Sequence, residues 1–152
     1  MKKKTRLRDF KVKKNKKDFK IAVFLQRRPD REHYNNNQHQ HYELILKTLN
    51  GREVGRAEYG CNPLNAYVTA LQINPQYRRL GIAKRLCKLV VQESRKLEKK
   101  MAPFHIGVHA FLQPEEEMKE VLEYVLKKGG FEEAGDGLIY PTKRLPTKLR
   151  QP

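Results

Sequence analysis

Between Ile73 and Leu86 the sequence reads Ile-Asn-Pro-Gln-Tyr-Arg-Arg-Leu-Gly-Ile-Ala-Lys-Arg-Leu. Pro75 cannot donate to a sheet ladder, so it ends the strand-like run Tyr67–Ile73. Gly81 and Ala83 keep side chains small where a helix reaching to about Met101 begins. Such a helix start exposes unpaired backbone N–H groups and the positive end of the helix dipole. That combination is a ready site for a phosphate group. No nucleophile triad or zinc spacing accompanies it, and the G-x-x-x-x-G-K pattern of a nucleotide-binding P-loop does not occur.

The pattern Arg78-x-x-Gly81-x-Ala83 resembles the Q/R-x-x-G-x-G/A signature of the GNAT superfamily of N-acetyltransferases. The preceding strand and proline match too, as does the amphipathic helix behind them. The resemblance runs from about Phe19 to Leu145 and is closest over Tyr67–Leu97. It implies acetyl-coenzyme A as co-substrate, with its pyrophosphate on Arg78, Arg79, Leu80, Gly81, Ile82, Ala83 and Lys84. It also implies a pantetheine arm paired with the backbone of Leu71, Gln72 and Ile73. The N–H of Leu71 would then polarise the thioester carbonyl.

Acetyl transfer to an amine needs that amine neutral. A lysine amine has a pKa of ~10.4, so a base or solvent must take its proton. GNAT enzymes often carry a base on the strand before the loop. The corresponding places are Tyr67 and Thr69, neither acidic nor imidazole, which could hold a relaying water. Glu58 on the neighbouring strand would supply the basic end of that relay. The plainer reading makes Tyr67 a packing residue and Glu58 an exposed strand residue. The family's usual acid is a tyrosine five residues before the phenylalanine of a G-F pair, and that position here is Leu126. Tyr124 lies on the polar face of its helix, and Tyr140 is a remote substitute. A released thiolate, with an ordinary thiol pKa of ~8.5, can also take its proton from water.

The elements that must position these groups follow from periodicity. Phe19–Leu25 reads as a first strand, Tyr42–Lys47 and Arg52–Tyr59 as a hairpin about Asn50-Gly51, and Ala66–Ile73 as the strand before the loop. Leu86, Leu89, Val90, Leu97 and Met101 recur at helical spacing. Phe104–Phe111 alternates as a strand. Pro114 and Glu115–Glu117 open a second helix that Gly129-Gly130 ends, and Phe131–Ala134 with Leu138–Arg144 close the chain as a hairpin. The fold class is α/β, a mixed and mostly antiparallel central sheet flanked by two long helices. Arg27–Gln40 is too polar and short for the two helices GNAT domains carry there, so those are expected to be reduced or lost, leaving an open acceptor site. His39 and His41 would share a strand face, but no carboxylate or thiolate is arranged with them, and no metal is expected.

The 152 residues suffice for one domain with a core. Net charge is +16; eleven Lys or Arg against two Asp put +9 of it in residues 1–20. Residues 1–17 are expected to be a disordered basic arm, 18–145 a single domain, and 146–152 a basic tail. Lys84, Lys88, Arg95 and Lys99 share one helix face, and with residues 2–20 they form a candidate nucleic-acid surface. No run approaches the ~18 apolar residues of a membrane span, and the N-terminus lacks the apolar core of a signal peptide. Cys61 and Cys87 suggest no disulfide framework. An intracellular, cytoplasmic protein is expected. Two functions compete: acetyl transfer to an amine of a macromolecule, protein or RNA- or ribosome-associated, and a catalytically silent GNAT-like module that binds nucleic acid or a partner protein.

Overall fold

The most basic part of the chain folds as a strand. In the computed structural model, which describes residues 4–28, 40–62, 66–101, 107–110, 119–135 and 137–141, Lys4–Lys14 forms β1 and pairs antiparallel with β2, Lys17–Arg28. This corrects the expectation of a disordered arm over residues 1–17 and of a first strand starting at Phe19. The reason is physical. Phe10 and Val12 are spaced by two, so both face the core, where they meet Ile21 and Phe19 across the ladder. Val12 is only 5% exposed. Asn15 and Lys16, with φ of 53° and 65°, make the hairpin turn. Lysine is a poor residue for that second position, which is why the turn is hard to see in the sequence.

β3 (Gln40–Thr48), β4 (Glu53–Cys61) and β5 (Ala66–Ile73) follow as an antiparallel meander. After β5 come one 3₁₀ turn at Pro75–Tyr77 and helix α1, Ile82–Met101. β6 (Gly107–Ala110), α2 (Lys119–Lys128), β7 (Glu132–Ala134) and β8 (Gly137–Pro141) complete the described chain. The eight strands lie in the order β1-β2-β3-β4-β5-β6-β8-β7, with β5–β6 the one parallel pair among them. The expected mixed, mostly antiparallel sheet with helices is therefore the observed fold, with one more N-terminal strand. Expectations about residues 29–39, including His33 and His39, about Pro114–Met118 and about residues 146–152 lie outside the described residues.

α1 buries Ile82, Leu86, Cys87, Leu89, Val90, Val91 and Leu97 against one face of the sheet. Cross-strand register puts Val23, Leu46 and Leu44 on that face, with Ala57, Tyr59 and Val68 from β4 and β5. The buried Ser94 hydroxyl donates to the Val90 carbonyl one turn back at 2.6 Å, which satisfies a polar group inside an apolar contact. α2 ends at Gly129-Gly130, where the Phe131 N–H reaches back to the Leu126 carbonyl at 2.9 Å. The opposite face of the sheet carries Ile45, Glu43, His41, Arg56, Glu58, Tyr67 and His109.

Candidate active site

β5 makes the site by leaving its neighbour. Val68 pairs with Tyr59 and Ala70 with Glu58, so Thr69 is an extra residue, a bulge. A bulge bends its strand and ends regular pairing. β6 follows β5 only from Ala66 to Val68, against Val108 to Ala110. Beyond Val68, among the described residues, β5 has β4 on one edge and no strand on the other. The Asn74 N–H donates to the Val54 carbonyl at 2.8 Å. Bonded pairs alternate along an antiparallel ladder. Gln72 and Ala70 therefore spend their backbone groups on β4, while Leu71 and Ile73 direct theirs to the open edge.

That edge runs into the loop. Asn74 fastens the end of β5 twice, since its Nδ2 also donates to the Glu53 carbonyl at 2.6 Å. The Tyr77 N–H then returns to the Asn74 carbonyl at 2.9 Å and the Arg78 N–H to the Pro75 carbonyl at 3.2 Å. Arg78 Nε donates to the Ile73 carbonyl at 3.0 Å, which places its guanidinium at the mouth of the open edge. Arg79 and Gly81 have φ of 65° and 77°. Turns of this kind gather backbone N–H groups into anion-binding concavities. A Cβ on Gly81 would meet nothing within 4 Å. Glycine is needed there for its backbone angle, and the space beside it is open. α1 has no acid in its first turn, where its positive end would favour one; Lys84 and Arg85 stand there instead. The loop thus fits a diphosphate: oriented N–H groups, four nearby cations in Arg78, Arg79, Lys84 and Arg85, and no acid in the first helical turn.

The face opposite α1 brings together residues from four strands. His41 pairs with Gly60, Gly60 with Tyr67, and Tyr67 with His109, so the four form one row across β3, β4, β5 and β6. A Cβ on Gly60 would lie 2.9 Å from the Tyr67 ring carbon Cε2 and from its hydroxyl. The missing side chain is what lets that ring lie across β4. The His41 and Tyr67 rings meet edge-on at 6.3 Å. The row crosses β5 two residues before the bulge, so its imidazoles and phenol adjoin the point where the sheet opens.

The other candidates fall as follows. Thr69 is the bulged residue, its hydroxyl 3.5 Å from the Glu58 carbonyl. Glu58 shares the face of Tyr67 but lies in the field of Arg56. That guanidinium donates to Glu53 at 2.5 Å and to Glu43 at 3.4 Å. The bond to Glu53, aided by the charges of Glu53, Glu43 and Glu58, holds it more firmly protonated than usual. Leu126 is 3% exposed, and Tyr124 is 63% exposed beside Lys128. Tyr140 pairs with Val108 on the helix side, under Phe131 at 5.7 Å and Arg95 at 5.9 Å. Arg95 is thereby drawn out of the exposed stripe, which keeps Lys84, Lys88 and Lys99. Burial pushes the thiols of Cys61, with Glu98 adding, and of Cys87 up to about 11. Protonated thiols are poor nucleophiles. Sequence reasoning did not bring His41 and His109 to the site. The alternation around His109 is visible in the sequence, but only the parallel register puts it beside Tyr67.

Among the described residues, no helix is long and apolar enough to cross a membrane, and no three His, Cys, Asp or Glu gather as metal ligands. No curated protein and no solved structure matches the chain significantly. A family profile described as an acetyltransferase (GNAT) domain matches residues 11–115. That span starts inside β1 and includes the bulge, the open edge, the loop and all of α1. The chain belongs to the GNAT acetyltransferase family, whose domains carry out acyl transfer using acetyl-coenzyme A.

Proposed function

We propose that this chain transfers an acetyl group from acetyl-coenzyme A directly to an amine of a macromolecular acceptor, a protein or an RNA- or ribosome-associated molecule. One observation carries this reading. Among the described residues the Leu71–Ile73 edge carries no strand, and the 3₁₀ turn at Pro75–Tyr77 leads from it into the Arg78–Ala83 loop, so one extended ligand with a diphosphate can use both. Acetyl-coenzyme A supplies an acyl group activated as a thioester. The backbone of Leu71 and Ile73 aligns it as an added strand, and the loop with Arg78 and Lys84 takes its diphosphate. The N–H of Leu71 is aimed where charge develops on the carbonyl oxygen.

The acceptor amine approaches from the face that carries His41, Tyr67 and His109. It must lose one proton before or as the carbon–nitrogen bond forms. An imidazole is the side chain best suited to receive a proton at neutral pH. We assign that role to His109, with Tyr67 between the two imidazoles as the hydrogen-bonding link. The carbon–sulfur bond breaks, and the thiolate takes a proton from water. The strong positive charge and its exposed lysines favour a macromolecular, acidic acceptor over a small metabolite.

Calorimetry with acetyl-coenzyme A and with coenzyme A tests the ligand. Affinity in the micromolar range is expected, and no binding at high micromolar concentration would overturn the reading. Leu126, buried where the family places its acid, favours a second reading: a binding module that retains the ligand site without turnover. Labelled acetyl-coenzyme A incubated with the protein and a cell lysate separates the two. Label on protein or RNA supports transfer, and tight binding without transfer supports the module.

A further inference from the structure

The lysines of the first hairpin form a ribbon at the edge of the sheet. β2 meets β3 only from Ile21 onward, so Lys17–Lys20 and their partners Lys11–Lys14 run past the last β3 ladder pair, with Lys11 and Lys20 beside the Thr48–Arg52 turn. Four residues carry the ribbon about 13 Å beyond that pair. It holds six lysines, Lys11, Lys13, Lys14, Lys16, Lys17 and Lys20, against Asp18. One side is anchored. Phe19 packs 6.2 Å from the Tyr77 ring, and Lys14 Nζ donates to the Gln76 carbonyl at 3.2 Å. The remaining five lysines are exposed.

Lysines on an edge strand commonly guard against strand-to-strand aggregation. That explains Lys11 and Lys13 and does not explain the rest. Lys20 stands directly opposite Lys11, and Lys17 directly opposite Lys14. Like charges so placed destabilise a hairpin. Lys16 holds φ of 65° at the tip, a conformation that disfavours every residue with a Cβ. The repulsion across the ladder is relieved by a polyanion laid along the ribbon, and the Lys16 backbone angle is the one a two-residue hairpin turn demands, which puts a further lysine at the tip.

We infer that the Lys11–Lys20 ribbon is a docking element for duplex DNA, entering the major groove with its lysines on the flanking phosphates. The B-form major groove, ~12 Å wide, admits a two-stranded β-ribbon. The A-form groove of duplex RNA is too deep and narrow to do so. This inference stands independently of acyl transfer, because the ribbon shares no residue with the Leu71–Lys84 site.

The test uses the full chain and fluorescence anisotropy with a labelled duplex of about 20 base pairs, as DNA and as RNA. Five phosphate contacts predict a log–log salt slope of about −4.5, or roughly a 500-fold loss of affinity from about 50 to about 200 mM salt. Changing Lys11, Lys13, Lys16, Lys17 and Lys20 together to Gln should remove most of that slope, and changing all five to Arg should keep it. The urea midpoint of the Gln variant should equal or exceed that of the parent, since Lys11 and Lys20 no longer repel. Failure of the parent to bind duplex DNA at about 50 mM salt overturns the inference. So does an unchanged slope in a folded Gln variant, or equal affinity for duplex RNA.

Discussion

Val12→Ala measures whether β1 belongs to the folded domain. Val12 is 5% exposed and sits opposite Phe19, whose ring packs near Tyr77. The substitution removes two buried carbon groups, worth about 1.6 kcal/mol at roughly 0.8 each. A residual cavity adds a few tenths, because Val12 packs into the core beside Phe19 of β2, giving about 2 kcal/mol in all. For a chain of this size that is a fall in Tm of about 4–8 °C. Urea unfolding followed by circular dichroism measures it, with Leu7→Ala as the control on the same strand. Leu7 is 38% exposed and should cost less than about 0.5 kcal/mol. A Val12→Ala cost within about 0.5 kcal/mol of zero would refute the strand, because a valine in a solvated arm has nothing to lose.

Gly81→Val should abolish acetyl-coenzyme A binding in calorimetry while leaving the urea midpoint within about 1–2 kcal/mol of the parent; φ of 77° is closed to a β-branched residue, yet no neighbour crowds the Cβ. His109→Gln should lower kcat/KM about 10²–10⁴-fold. It should leave acetyl-coenzyme A affinity in calorimetry unchanged, and a parallel loss of that affinity would argue for a structural role. Cys61 and Cys87 should resist alkylation in the native protein and react once urea unfolds it. Their thiol pKa rises from about 9 unfolded to about 11 folded, so the folded state keeps protons the unfolded state gives up. Their contribution to stability is full below pH 9 and is lost as pH climbs toward 11, which urea titrations at stepped alkaline pH will show.

What could be read along the chain is what acts locally. Pro75 cannot continue a strand, Gly81 tolerates a left-handed backbone, and the apolar spacing of Leu86, Leu89, Val90 and Leu97 commits α1 to one face. Those preferences depend on a few neighbouring residues, so the loop, its helix and the family signature were legible without a structure. β1 was not. Its two inward residues lie in a run of lysines, and its strand exists because β2 offers a ladder to pair with. The site's side chains were half legible for the same reason. Tyr67 could be found by counting back from Arg78, and Glu58 by its neighbouring strand. Their surroundings depended on register: Thr69 became a bulge, and Glu58 came to lie near Arg56, whose guanidinium bonds Glu53 and Glu43.

Where the backbone bends and which residues must be small or apolar can be read from the residues in order, because those are properties of single residues and short periods. Tertiary structure alone decided which side chains meet. The β5–β6 pairing joins segments separated by the whole of α1, and its parallel register sets His109 beside Tyr67. Among the described residues that pairing ends at Val68, one residue before the Thr69 bulge, beyond which the Leu71 and Ile73 backbone faces away from β4. No local preference encodes either outcome, since each results from how two strands distant in sequence come to rest against one another.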